Sequence, residues 1–250
     1  MTSTSTTRVA FITGGAQGIG EAIALRLAQD GLDVAVFDMA GKEELLKGVT
    51  KKITDIGRKA IWIVGDVTSE ESIKDAIART VEELGSLDVM VANAGIRHAK
   101  PIIEMTPEEW NRVLAINATG IMLSYKHAGI QMIKQGHGGR IIGACSVSGK
   151  QGFPTAGAYS ASKFAVRGLT HAFSQEMKPH NITVNAYAPG LIATPMLAVS
   201  IEAGRDKALA PTQKVAQPSV VADLVSYLAL PNSYFINGQI ISIDGGWIYQ

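Results

Sequence analysis

With 250 residues, 46% of them apolar and 18% charged, and a formal net charge of +1, the chain fits one large domain whose core is buried on both faces of a sheet. That balance lacks the clustered Lys and Arg of a nucleic-acid footprint. The single cysteine, Cys145, excludes an intrachain disulfide and a thiolate zinc site and suits a reducing compartment. No apolar run approaches the ~18–20 residues of a membrane span. Residues 1–7 form a Ser/Thr tract that reads as a disordered tail, neither signal nor transit peptide, and Trp247-Ile248-Tyr249-Gln250 matches no retention or peroxisomal address. The expectation is a cytoplasmic protein without membrane or nucleic-acid partners.

Residues 9–12 are short and apolar and read as a buried strand. The turn Thr13-Gly14-Gly15-Ala16-Gln17-Gly18-Ile19-Gly20 follows, then a helical stretch at 21–29 with Gly31 as its stop. A second strand at 34–37 ends on Asp38, which completes a βαβ unit with its glycines at the first turn. The alternation repeats with a helix at 42–56 and a strand at 60–64 leading to Asp66. Thr68-Ser69-Glu70-Glu71 reads as a capping box for a helix reaching Leu84. A strand at 87–92 precedes Asn93-Ala94-Gly95. Thr106-Pro107-Glu108-Glu109 is a second capping box, opening a long helix to about Lys134 that contains Asn117. A strand at 140–144 leads to Cys145 and Ser146, a Gly/Pro-rich loop and a helical stretch holding Tyr159 and Lys163. The last elements are a strand at 182–187, an excursion at 191–215, a helix at 220–230 and a strand at 239–243 before Asp244-Gly245-Gly246. About seven strands alternating with helices predict an α/β fold. Residues 8–250 would form one doubly wound, Rossmann-like parallel sheet with helices on both faces.

The glycine cluster, Asp38, Asp66, Asn93, Ser146 and Pro189-Gly190 each then stand just after a strand, where doubly wound sheets bind ligands. Gly14, Gly18 and Gly20 are spaced GxxxGxG, which permits close backbone approach to a pyrophosphate facing the next helix's N-terminus. Asp38 at the end of the second strand can accept hydrogen bonds from adenosine ribose hydroxyls and repels a 2′-phosphate. No Arg follows it, since Met39 and Ala40 do, so NAD is favoured over NADP. Tyr159 and Lys163 share a helix face, with Cβ atoms about 5–6 Å apart. A phenol titrates near about 10, and a neighbouring ammonium lowers that value towards neutrality. Such a pair also arises by accident on many helices. The five histidines show no metal-ligand spacing, so no metal is expected.

Ser146 stands thirteen residues before Tyr159. Together with Thr13-Gly14, Gly18-Ile19-Gly20, Asp66-Val67, Asn93-Ala94-Gly95, Asn117, Lys163, Pro189-Gly190 with Thr194, and Asp244-Gly245-Gly246, this resembles the short-chain dehydrogenase/reductase family over essentially the whole chain. The resemblance implies an NAD(H)-dependent oxidoreductase interconverting a secondary alcohol and a ketone. Tyr159 would be the general acid or base, and Lys163 would lower its pKa and hold the nicotinamide ribose. Ser146 would donate to the substrate oxygen, and Asn117 would anchor a water linking Lys163 to solvent. Gly14, Gln17, Gly18, Ile19, Gly20, Asp38, Asp66, Val67, Asn93, Ala94 and Gly95 would hold the adenosine and pyrophosphate, while Pro189, Gly190, Ile192 and Thr194 would place the carboxamide. Substrate would meet Ser146, Val147, Ser148, Phe153 and Tyr159 under the segment 191–215.

The runs Gly136-His137-Gly138-Gly139 and Ser162 to Thr170 look most like the diacetyl/acetoin reductase and butanediol dehydrogenase branch. Val147 and Phe153 are apolar where that branch tends to carry polar residues, the segment 191–215 is shorter than in those relatives, and Ala92 replaces an Asn common there. An apolar, more open pocket suits a bulkier ketone or secondary alcohol. Diacetyl/acetoin reduction is the alternative, followed by a 3-oxoacyl thioester reductase and a catalytically silent dinucleotide sensor. The family resemblance also implies a homotetramer.

Overall fold

The computed structural model describes residues 7–202 and 214–249. Seven parallel strands form one sheet: β1 (Val9–Thr13), β2 (Asp33–Asp38), β3 (Ala60–Val64), β4 (Val89–Ala92), β5 (Gly139–Ala144), β6 (Ile182–Pro189) and β7 (Ile240–Ile243). Their order is β3-β2-β1-β4-β5-β6-β7, so the direction of winding switches between β1 and β4. The helices are α1 (Gly18–Gln29), α2 (Glu43–Asp55), α3 (Glu70–Leu84), α4 (Pro107–Leu114), α5 (Gly120–Gln135), α6 (Gly157–Met177), α7 (Pro195–Glu202) and α8 (Pro218–Ala229). This is the α/β, doubly wound Rossmann-like architecture expected from the alternation.

Strand side chains alternate between faces, and each face has its own core. Ala10, Ile12, Val34 and Val36 pack with Ile23 and Leu27 of α1, Leu46 and Ile53 of α2, and Val221 and Val225 of α8. Phe11, Ala35 and Phe37 face the other way, with Ile73 and Ile77 of α3, Tyr125 of α5 and Val166 of α6. Burial on both faces explains why these strands read as continuous apolar runs.

Three expectations need correction. The α3 N-cap is Ser69, whose hydroxyl accepts the Ser72 N–H at 3.2 Å, so Thr68 and Glu71 do not form a capping box. The Thr106/Glu109 box is present as expected. β4 begins at Val89 rather than Leu87, because the Gln135 side chain takes both the N–H and the C=O of Leu87 at 2.9 Å each. The long helix after Thr106 is interrupted by a π-turn, Ala115–Thr119, in which the Gly120 N–H donates to the Ala115 carbonyl. Asn117 stands at its centre. π-Turns within helices recur at functional positions.

Candidate active site

A cleft of about 960 Å³ opens at the carboxyl ends of the strands, over the switch between β1 and β4. Its floor is the glycine turn. Gly14 and Gly18 have φ of +64° and +61°, left-handed values that favour glycine. A Cβ on Gly20 would lie 2.0 Å from the Gly14 carbonyl oxygen, so only glycine lets α1 start this close to β1. Gln17, the α1 N-cap residue, makes no side-chain cap. The first N–H groups of α1 are therefore left without a side-chain acceptor from their cap residue, as an anion site at a helix start requires.

The turn is tied to β4 and β6. The Asn93 amide donates to the Thr13 and Gly14 carbonyls at 3.0 and 2.9 Å, and its Oδ1 accepts the Tyr187 hydroxyl at 2.7 Å. Thr13 Oγ1 in turn accepts the N–H groups of Asn93 and Ala94 at 3.0 and 3.1 Å. Burial holds the Tyr187 phenol well above its ordinary pKa, so it stays a neutral donor. At the far side Asp38 accepts the N–H of Ala16 at 3.2 Å and of Met39 at 2.9 Å. Asp66 accepts the Thr68 N–H at 2.9 Å.

The four catalytic candidates converge from three segments: the π-turn, the turn after β5 and α6. Lys163 is 3% exposed; its Nζ donates to the Ala144 carbonyl at 2.8 Å and lies 5.5 Å from the centroid of the Tyr159 ring. Burial lowers its pKa to about 8, which leaves it predominantly protonated at pH 7. Asn117 is fully buried and pairs with one peptide unit: Oδ1 accepts the Ile96 N–H and Nδ2 donates to the Ile96 carbonyl, both at 2.8 Å. Nδ2 also donates to Ser162 Oγ at 3.1 Å, whose own proton goes to the Tyr159 carbonyl at 2.6 Å. Asn117 thus binds the loop after β4 to α6. Ser146 Oγ accepts the Ser148 N–H at 3.1 Å, which directs its hydroxyl proton elsewhere. Cys145 is buried, with its thiol pushed up by desolvation, and its Sγ donates to the Lys163 carbonyl at 3.4 Å. It packs rather than reacts.

Of the expected residues, Gly14, Gln17, Gly18, Ile19, Gly20, Asp38, Asp66, Val67, Asn93, Ala94, Gly95, Tyr159, Lys163, Pro189 and Thr194 line this one cleft. Asn117 lies buried behind it. Ser146, Val147, Ser148, Gly190 and Ile192 stand beside the lining: Ile192 forms a bridge with Ala216, and Val147 and Ser148 are buried in the turn after β5. Phe153 packs on Trp247, with ring centroids 5.2 Å apart. The expected substrate cover at 191–215 includes α7, and residues 203–213 lie outside the described residues.

Sequence reasoning missed Lys42, whose Nζ donates to Gln17 Oε1 at 3.2 Å on the cleft wall. One signal was available. Lys42 is the N-cap residue of α2, where the helix dipole disfavours a cation, so its presence calls for a partner. Ser162, fully buried, was also missed, because its importance arises only through Asn117.

A glycine turn, an acidic end to β2 and a buried Tyr/Lys pair on one doubly wound sheet define a dinucleotide-dependent oxidoreductase, and the chain belongs to the short chain dehydrogenase family, whose model matches residues 8–204. Among its relatives, a short-chain dehydrogenase/reductase of Armillaria gallica is 46% identical over all of this chain and 99% of that protein. The L-2,3-butanediol dehydrogenase of Corynebacterium glutamicum is 40% identical over 97% of this chain and 99% of its own length. The solved structure of carveol dehydrogenase from Mycobacterium avium, in complex with NAD, superposes with a TM-score of 0.90 at 30% identity, covering 97% of this chain and 98% of that one.

Proposed function

We propose that the protein is an NAD(H)-dependent oxidoreductase interconverting a secondary alcohol and a ketone, with a bulky, largely apolar substrate. The observation that carries this is the buried Lys163 ammonium, pinned to the Ala144 carbonyl one helical turn from Tyr159. NAD(H), when bound, supplies or takes up the hydride. Tyr159 donates its phenolic proton to the forming alkoxide, or removes the alcohol proton in the reverse direction. The nearby Lys163 ammonium stabilises the phenolate that this leaves. Ser146, whose Oγ already accepts from Ser148, donates its remaining proton to the substrate oxygen and stabilises charge as it develops. Asn117 keeps the loop after β4 and α6 in register, so that Tyr159 and Lys163 hold their places.

The apolar preference rests on Val147 and Phe153, on the Phe153–Trp247 ring contact, and on Met196 and Val199 exposed on α7. A second reading, diacetyl or acetoin reduction, draws on the likeness to the butanediol dehydrogenase. A homotetramer fits the exposed apolar groups Met122, Ile130 and Ile133 of α5 and Phe164 of α6, and the single buried thiol suits the cytoplasm.

The test is a screen of NADH oxidation over diketones, cyclic ketones and terpenoid ketones. Cyclic or terpenoid ketones should turn over best, and Tyr159→Phe should lose roughly 10²–10⁴-fold in kcat while still binding NADH. Diacetyl as the best substrate would establish the second reading. Tight NADH binding without turnover of any ketone would make the protein a dinucleotide sensor. A monomer by light scattering would refute the tetramer.

A further inference from the structure

Asp244-Gly245-Gly246, directly after β7, takes no part in the proton and hydride steps, yet its bonds aim one side chain. The Asp244 carboxylate accepts two N–H groups of the chain that follows it, Gly246 to Oδ1 at 3.0 Å and Ile248 to Oδ2 at 2.9 Å. Gly245 and Gly246 have φ of +67° and +81°, so the chain turns back in a conformation that favours glycine. Trp247 lies between the two tied residues, and its indole touches both segments that flank the reacting groups. On one side is Gly190, whose N–H donates to the Ile243 carbonyl at 3.0 Å. A Cβ on Gly190 would stand 3.1 Å from the Asp244 Cα and 3.5 Å from the Trp247 Cε3, so the turn covers its open face. The residue before it, Pro189, lines the cleft together with Tyr159 and Lys163. On the other side is Phe153, its ring centroid 5.2 Å from that of the indole and its plane tilted by 42°. Phe153 stands on the loop that begins after Ser146 and leads to Tyr159. The indole thus joins the end of β6 to that loop, and it is only half-buried.

We infer that Trp247 is the specificity-determining wall of the substrate pocket, with Asp244 as its positioning residue. The substrate class that fits this wall is a ketone or secondary alcohol whose reacting carbon belongs to an apolar ring. Two tilted aromatic rings present a broad, stiff, apolar surface. A ring-shaped substrate covers more of that surface than a short open chain, and affinity grows with the apolar area removed from water. An indole has only two side-chain torsions to freeze, and the Asp244 bonds already fix the backbone that carries it, so little ordering cost opposes the contact. The inference rests on the ketone and alcohol reading of the cleft and adds the residue that selects the ring.

Steady-state kinetics of NADH oxidation by the full chain, with cyclohexanone compared with butanone, test it. Wild type should favour cyclohexanone in kcat/KM. Trp247→Leu, or Trp247→Met if the leucine variant melts early, should lower the cyclohexanone-to-butanone ratio of kcat/KM roughly five- to tenfold. Most of that loss should appear in KM for cyclohexanone, and Trp247→Phe should recover most of it. Asp244→Ala should lower the same ratio, and combining it with Trp247→Leu should lower it little further, because both changes remove one wall. Tyr249→Ala, which removes an exposed aromatic ring two residues on, should keep the wild-type ratio. An unchanged ratio in the folded Trp247 variants, or a loss equal for the two ketones, would overturn the wall and leave the oxidoreductase reading standing. Additive losses in the double variant would overturn the positioning role of Asp244. A wild-type protein that prefers butanone would overturn the ring preference. Tight NADH binding with no turnover of any ketone in the wider screen would overturn the oxidoreductase reading and the wall with it.

Discussion

The catalytic middle of the cleft and its substrate mouth are built on opposite principles. In the middle, backbone groups from other segments hold Asn117, through Ile96, and Lys163, through Ala144, while the Ser148 N–H two residues on holds Ser146. At the mouth, apolar side chains stand exposed with few polar ties, Met196 and Val199 on α7 and Ile102 and Ile103 on the loop after β4. One backbone contact at the mouth joins two loops. Lys100 N–H donates to the Thr155 carbonyl at 2.8 Å, and Ile102 rests where a Cβ on Gly157 would be. The difference separates reaction from selection. A fixed middle keeps proton transfer in geometry, whereas a loosely tied apolar mouth can change its substrate without disturbing that geometry.

The sharpest way to break this contrast is Asn117→Ala. It removes both bonds to the Ile96 peptide and the link to Ser162, and leaves buried polar groups without partners. That costs on the order of 3 kcal/mol of stability, and turnover should fall more than tenfold as α6 loosens from the loop. Chemical denaturation and steady-state kinetics check the two effects together. Unchanged values in both would show that the middle is not held by this residue.

Lys163 offers a cleaner readout, with a smaller effect. Its folded pKa, about 8, lies below the ordinary 10.5 because burial disfavours the charged form. Below about pH 8 the lysine is protonated in both the folded and unfolded chain. Between about 8 and 10.5 the unfolded chain binds the proton and the folded one does not, so stability rises with pH across that window. Lys163→Met should lack this rise in the cofactor-free protein. The denaturation midpoint of wild type should therefore rise relative to that of the variant between pH 7.5 and pH 9.5. Parallel slopes would mean that the ammonium is better solvated than its 3% exposure indicates.

Much of this middle was legible in the sequence, because its signals are local or periodic. The glycine turn, the strand-terminal Asp38 and Ser146, and the Tyr159/Lys163 spacing each lie within a few residues of one another or of a strand end. The π-turn was not legible: one extra residue in a helical ladder leaves the apolar periodicity of residues 107–135 almost unchanged. Nor was the Lys42–Gln17 bond, which joins positions 25 apart in sequence, or the Gln135 side chain that displaces the start of β4. These depend on which side chains the fold brings together. The mouth was legible only as composition, in apolar residues where relatives carry polar ones.

Thr155 supplies the smallest test and the one that bears directly on the mouth. Its φ is +61°, a left-handed conformation that is unusual for a β-branched residue and costs roughly 1–2 kcal/mol. Its carbonyl holds Lys100, so the strain sits at the joint between the two loops that frame the mouth. Glycine adopts this φ without the steric penalty but loses more freedom on folding, so Thr155→Gly should stabilise the protein by at most about 1 kcal/mol. Thermal melting reads that gain. The kcat for a small ketone should stay the same, because Asn117, Lys163 and Ser146 are held by other segments. KM for bulky ketones should shift within a few-fold, because the joint that shapes their entrance relaxes. A change in kcat equal for small and bulky ketones would mean that the mouth and the middle are one mechanical unit, and the separation between reaction and selection would fail.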